Sequence, residues 1–370
     1  MHTSRRALLA AVGGVALAGC VGGDDGTSEG ADPSTGTPVG STPRLEPPSP
    51  PDVDGGPPLS DRPRHLAFDR ETVLDNVVSG GVPRDGIPAI DEPRFADADG
   101  ADLQDGEPVF GLHRDGVARA YPQKILVWHE VVNDTLGDEP IAVTYCPLTG
   151  TAQAFHRGPT SFGVSGRLVN SNLVMYDRAS DSWWPQMLAT AIDGPLDGQY
   201  LREERVIWTT WGRWRAAHPE TEVLTDDTGY VRRYGSDPYG EYNPASGYYA
   251  ERDTLFPPLS SDDRTHPKSV VVGARTQRGA IGFRKSRLLE EGVLTGQLDD
   301  EAVVAVADGA LETGYVYRNP EERAVTADGD AVAVDGEPSD PEALPLEPIL
   351  GFDAMWFAWA GFYPDTAYVE

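Results

Sequence analysis

The sequence predicts an α+β fold: a β-rich mixed unit, internally duplicated, whose first copy carries an insertion. Three observations lead there. Short alternating apolar runs bounded by Gly, Pro and Asp outnumber helical periodicities. Gly111-Leu112-His113-Arg114-Asp115-Gly116-Val117-Ala118-Arg119-Ala120-Tyr121 returns in degenerate form over Gly273 to Phe283, and at the same offset Ile141 to Thr144 falls on Val303 to Val306. Trp211 to Trp214 with His218-Pro219-Glu220-Thr221 matches Trp356 to Trp359 with Tyr363-Pro364-Asp365-Thr366, in the same chain order and at a shorter offset. The repeats span about 109–225 and about 271–370, and the residues missing from the second come from the stretch containing Asn170 to Arg178.

Within the first repeat, Val109 to Leu112 and Ala118 to Ala120 read as a hairpin about Asp115-Gly116. After Pro122, Gln123 to Val132 reads as a short helix with Ile125, Trp128, His129 and Val132 on one face. Ile141 to Cys146 alternates as a strand, with Ile141, Val143 and Tyr145 on one face and Ala142, Thr144 and Cys146 on the other. Pro147 and Gly150 turn the chain, Ala152 to His156 extends again, and Trp208 to Ala217 reads as an aromatic-rich helix before Pro219.

The N-terminus addresses the chain. Ser4-Arg5-Arg6 is followed by an apolar run from Ala7 to Ala18, too short to span a bilayer, and then by Leu17-Ala18-Gly19-Cys20, which resembles a lipobox. Residues 1–20 are therefore expected to be a twin-arginine lipoprotein signal peptide. Cys20 is the expected lipid attachment point, and the outer face of the cytoplasmic membrane the expected location. Residues 21–60, rich in Gly, Pro, Ser and Asp, read as a disordered tether, with globular sequence over 66–370.

Charge limits the environment. Against 59 acidic residues stand 30 basic ones, for a net charge of -29, and only Lys124, Lys268 and Lys285 are lysines. Such a field repels itself unless salt screens it, which points to a salt-loving prokaryote and a fold that gains stability from salt. It also argues against nucleic acid as a partner, because no basic stripe is available for phosphates. The membrane, through Cys20, is the one partner the sequence indicates, beside a small ligand or metal.

Three segments carry a family resemblance. They are Ala120-Tyr121-Pro122 through Trp128-His129-Glu130-Val131-Val132-Asn133-Asp134; Val143-Thr144-Tyr145-Cys146-Pro147-Leu148-Thr149-Gly150-Thr151; and Phe162-Gly163-Val164-Ser165-Gly166 through Asn170-Ser171-Asn172-Leu173-Val174-Met175-Tyr176-Asp177-Arg178. With Asp237-Pro238-Tyr239 and the segment from Trp356 to Thr366, they resemble the uncharacterised bacterial and archaeal family known as domain of unknown function 3179, from about Phe68 to the C-terminus. The resemblance implies no settled activity. The family's turn often reads Cys-Pro-Leu-Cys where this chain has Cys146-Pro147-Leu148-Thr149, so a paired-thiol site is not available here.

With Cys20 lipidated, Cys146 is the sole thiol, and in the second repeat Asp308 stands in its place, Glu291 in that of His129 and Arg318 in that of His156. Chemistry is thus expected in the first repeat. Three function classes fit. A soft-metal site would join Cys146 to His129 or His156 and to Met175, a set suited to copper, although these ligands are far apart in sequence. A nucleophile would be Cys146 activated by His129 and oriented by Glu130, Asp177 or Asn172. A binding module would use the same motifs, with Tyr121, Asn170, Trp183 and Gln186, to shape a pocket. The anchor is directly testable: Cys20→Ser should release the protein from membranes into the medium, and a variant that still fractionates with membrane refutes the lipobox.

Overall fold

A computed structural model describes residues 53–329 and 331–370. The expected signal peptide, Cys20 and the tether as far as residue 52 lie outside the described residues. The chain forms an α+β, β-rich fold of several small sheets with short helices between them. Among the described residues no helix is long and apolar enough to cross a membrane.

The first unit opens with a hairpin, β1 (Pro108–Arg114) and β2 (Val117–Pro122). Asp115 and Gly116 both take positive φ at its tip, matching the twist of the flanking strands. Helix α1 (Gln123–His129) follows, then the meander β3 (Val131–Leu136), β4 (Glu139–Cys146) and β5 (Thr151–His156). Next comes a second hairpin, β6 (Phe162–Val169) and β7 (Asn172–Asp177). The chain returns through β8 (Glu203–Glu204), which pairs with β5, and β9 (Ile207–Thr210), which pairs with β1. After α2 (Trp211–Ala217), β10 (Glu222–Leu224) lies parallel to β2.

The second unit pairs its strands in the same order. β11 (Val270–Arg275) and β12 (Ala280–Arg284) form a hairpin, α3 (Lys285–Glu291) follows, and β13 (Val293–Leu298), β14 (Glu301–Asp308) and β15 (Thr313–Arg318) form a meander. β16 (Glu347–Ile349) pairs with β15 and β17 (Gly351–Met355) with β11; after α4 (Trp356–Phe362), β18 (Ala367–Val369) lies parallel to β12. Where the first unit holds the β6–β7 hairpin, the second holds a small three-stranded sheet of Val325–Asp328, Ala331–Val334 and Glu337–Ser339.

Three sequence expectations change. The helix expected over 123–132 stops at His129, and Val132 belongs to β3, because Glu130 turns left-handed and sends the chain back along β4. Trp208 lies in β9 rather than in a helix, since Ile207 to Thr210 complete the edge of the sheet beside β1. Folded chain also begins before residue 66: Leu59–Ser60 pairs with Tyr200–Leu201, and the Arg64 guanidinium lies 2.5 Å from Glu203. The alternation of β4 holds as expected. Ile141, Val143 and Tyr145 enter one apolar cluster, while Ala142 and Cys146 enter the other.

A glycine under a tryptophan locks each unit. A Cβ on Gly111 would lie 2.2 Å from the Trp214 ring, and one on Gly273 would lie 2.4 Å from that of Trp359. Each indole N–H donates to a threonine at 2.9 Å, Trp214 to Thr221 and Trp359 to Thr366. The helix can therefore lie directly on the hairpin only where the strand has no side chain. Gly111→Ala and Gly273→Ala should each destabilise the fold by about 1–3 kcal/mol in chemical denaturation, the usual cost of overpacking. Gly279→Ala, whose Cβ would meet only Leu298 at 3.8 Å, should change little.

Candidate functional site

The site forms where α1 ends beside the end of β4. Glu130 caps the helix at φ 58° and ψ -26°, its N–H donating to the Leu126 carbonyl at 2.7 Å. Its own carbonyl accepts from the Tyr145 N–H at 2.8 Å, which places it against the Tyr145-Cys146 strand end. The second unit makes the same turn with Gly292, whose carbonyl accepts from Ala307 at 2.8 Å. A left-handed backbone suits glycine and strains a residue with a Cβ.

Glu130 is only 7% exposed. Its carboxyl has no hydrogen bond or ion pair among the described residues, and burial alone pushes it up to about 8. At neutral pH it is mostly the neutral acid. The Cys146 thiol, 1% exposed, is pushed up to about 11, first by burial and then by the neighbouring Glu130. It donates to the Ser171 carbonyl at 3.6 Å. Both groups are therefore protonated hydrogen-bond donors at neutral pH, and the thiol is not a nucleophile in this closed form.

The β6–β7 turn closes over the thiol. Asn170 and Ser171 both take positive φ, as this tight hairpin demands. Asn170 donates to the Ala358 carbonyl at 2.7 Å and accepts from Leu259 at 3.0 Å, tying the turn to the second unit. Asn172 donates to Thr149 and to Gln186 at 3.1 and 3.0 Å and accepts from Met187 at 2.9 Å. Gln186 in turn donates to Thr144 at 2.9 Å and to the Thr151 carbonyl at 3.1 Å. This buried network is satisfied at each amide, so it fixes the Cys146–Gly150 turn rigidly.

A tyrosine-rich segment, Tyr234 to Tyr249, covers the other side. Asp237 pins it, accepting from Gln123 of α1 at 2.6 Å and from Tyr249 at 2.8 Å. The Tyr145 and Tyr242 hydroxyls lie 2.8 Å apart, and the Tyr242 ring stacks on Tyr249 at 3.9 Å. Tyr248 donates to the Leu148 carbonyl at 2.7 Å, inside the cysteine turn. Burial first, then Glu130 and Cys146, hold the Tyr239 hydroxyl protonated. Lys268 lies 3.0 Å above the Tyr248 ring with no hydrogen-bond partner for its amine, which burial lowers to about 7.

Sequence reasoning pairs Cys146 with His129, and the hydrogen bonds of His129 go elsewhere. His129 donates from Nδ1 to the Pro88 carbonyl and accepts at Nε2 from Tyr234, each at 2.7 Å. Burial lowers it to about 4, so it stays neutral. His156 pairs with Glu139 at 2.5 Å and Glu204 at 3.5 Å, and Met175 lies in the apolar core. Among the described residues no three His, Cys, Asp or Glu side chains are grouped to hold a metal ion, and His129 and His156 are each engaged with other partners. Of the pocket candidates, Glu130, Asn170, Asn172 and Gln186 gather about the cysteine turn. Asp177 instead accepts from Ser180 and Trp184, Trp183 packs under Arg167, and Tyr121 donates to Asp134. The covering tyrosines and Lys268 were missed, although the run of Tyr239, Tyr242, Tyr248 and Tyr249 was a visible signal.

The fold and site thus define an α+β protein with a closed thiol–carboxyl centre. A family described as protein of unknown function (DUF3179) matches residues 84–366, and the chain belongs to that family. No curated protein and no solved structure matches it.

Native Cys146 should react with iodoacetamide at pH 7 at least about a hundredfold more slowly than an unfolded cysteine. Mass spectrometry of native and denatured protein measures this directly, and equal rates would contradict the closed thiol.

Proposed function

We propose that the protein is a membrane-anchored extracytoplasmic binding protein that holds a small, uncharged polar ligand at the Cys146–Glu130 centre. Glu130 carries the proposal. The equivalent turn in the second unit uses glycine, so the fold needs neither the carboxyl nor the strain it brings. A buried, unpaired and strained acid beside a thiol is what a site retains for a ligand and a fold discards. Neutral Glu130, Cys146 and Tyr239 offer hydrogen-bond donors without fixed charge, which favours an uncharged partner. The engagement of His129 with Pro88 and Tyr234, and of His156 with two carboxylates, disfavours a copper site, and the protonated thiol disfavours a resting nucleophile. Entry requires the Tyr234–Tyr249 cover to move.

The wider reading has its own supports. Matching strand order, the paired Gly–Trp locks and the equivalent helix ends support an ancestral duplication, with the β6–β7 hairpin as the elaboration that gave the first unit its site. The Arg5-Arg6 leader, the Leu17-to-Cys20 motif and the acidic surface support lipid anchoring in concentrated salt.

Glu130→Gly tests the centre. A carboxyl whose folded value exceeds its unfolded one stabilises the fold least at high pH, so wild-type stability should fall between about pH 4.5 and 8 by on the order of a few kcal/mol. The glycine variant should lose that slope and be the more stable protein at pH 8. Native mass spectrometry of protein purified from its own membranes should show a small molecule retained by wild type and absent from Glu130→Gly. Equal retention by both, or a wild type with nothing bound, would overturn the reading.

A further inference from the structure

Of the three lysines, Lys124 pairs with Glu107 at 2.9 Å and Lys285 with Asp353. Lys268 is the third. It is 7% exposed, and its amine is buried with no hydrogen-bond partner. The second unit holds its backbone: the Phe357 N–H donates to the Pro267 carbonyl at 3.0 Å, and the Trp356 N–H to the Ser269 carbonyl at 2.8 Å. Its side chain lies on the tyrosine cover instead. The amine stands 3.0 Å from the centre of the Tyr248 ring and 5.0 Å from that of Phe357. Tyr248 is also the cover residue that donates into the cysteine turn, at the Leu148 carbonyl. One ring thus joins Lys268 to the Cys146 centre.

The surroundings favour the neutral amine. An ammonium carries three N–H donors, and two ring faces offset less than the hydrogen bonds to water that it gives up. Past the end of the cover, Glu251 and Asp253 attract it without bonding to it. His266, whose Nδ1 accepts from the Lys268 backbone N–H at 3.1 Å, is held below its ordinary value by burial and then by Arg252 and Lys268. Burial first of all pushes the Tyr248 hydroxyl up, so it stays protonated. Burial also outweighs both carboxylates and lowers the Lys268 amine to about 7. An exposed lysine titrates near about 10.4, so the closed form gains stability as pH rises between the two values, and opening grows as pH falls through that window. We infer that Lys268 is a proton-operated gate on the Cys146–Glu130 centre: the neutral amine lets Tyr248 seat on the cysteine turn, and proton uptake releases the cover. Opening returns the ammonium to water. The inference rests on the reading of that centre as a ligand site and assigns its regulation.

Glu130 acts in the opposite sense, because a buried acid resists ionisation as pH rises, so the gate is read in Glu130→Gln, which keeps a neutral side chain of the same shape. Iodoacetamide alkylation of Cys146 in that full-length protein, in molar salt, is divided by the rate for denatured protein at the same pH; the ratio measures the open fraction. It should fall at least about tenfold from pH 7 to pH 9. Adding Lys268→Met, which keeps the length and removes the charge, should hold the ratio at its low pH 9 level throughout. Adding Lys268→Arg, charged at every pH, should hold it at or above the pH 7 level. Chemical denaturation in the same buffers gives the globally unfolded fraction, which the ratio must exceed at pH 7. The profile with Lys268 intact decides the matter by itself should either added variant fail to fold. A ratio that does not change with pH, that equals the globally unfolded fraction, that keeps its pH dependence in Lys268→Met, or that is as low in Lys268→Arg as in Lys268→Met would each overturn the gate. None of these outcomes depends on a retained molecule, so a wild type with nothing bound overturns the binding reading alone.

Discussion

The chain must reverse direction at the end of α1, and the candidate site depends on that constraint. The residue after His129 takes a left-handed conformation, and the chain passes directly from α1 into β3, which pairs antiparallel with β4. Glycine meets the requirement without strain in the second unit. In the first unit Glu130 meets it under strain, and the turn that closes the helix also drives its carboxyl under the tyrosine cover beside Cys146. Burial is the first cause of the raised values of both groups, and Glu130 raises Cys146 further.

Around this strained point the structure is rigid where its polar groups are satisfied. The amides of Asn170, Asn172 and Gln186 connect the cysteine turn, the β6–β7 hairpin and the second unit through bonds of 2.7 to 3.1 Å. Fully paired buried networks of this kind specify a single arrangement. The Lys268 amine and the Thr209 hydroxyl are buried without such partners. The contrast separates scaffold from candidate site more sharply than burial does, because every residue from Ile141 to His156 is buried.

The charged surface follows different rules. Most ion pairs join Arg to carboxylates that are substantially exposed, such as Arg70–Asp197 and Arg94–Asp227. Such pairs contribute little and are screened further by salt. Glu203 is the most buried of the few exceptions: it lies between Arg64 and Arg275, with Gln153 donating at 3.0 Å, and it joins the first unit to the second. In concentrated salt that buried cluster persists where surface pairs fade.

Local chemistry was legible in the sequence. Alternation gave β4 and its two faces, Asp115-Gly116 gave a hairpin, and the segments of similar sequence in the two halves fall on strands that pair in the same order. These features depend on near neighbours and on periodicity, which residue order carries. The composition of the site was partly legible as well, in Cys146, Glu130, Asn170, Asn172 and Gln186. Which of these would meet was not, because contact across the fold depends on how separate elements pack. His129 lies one residue from Glu130, yet the left-handed turn between them sends the imidazole to Pro88 and Tyr234 and the carboxyl to the thiol. Residue order supplied the groups; the direction of one backbone turn and the packing of a distant tyrosine segment decided which of them share a site.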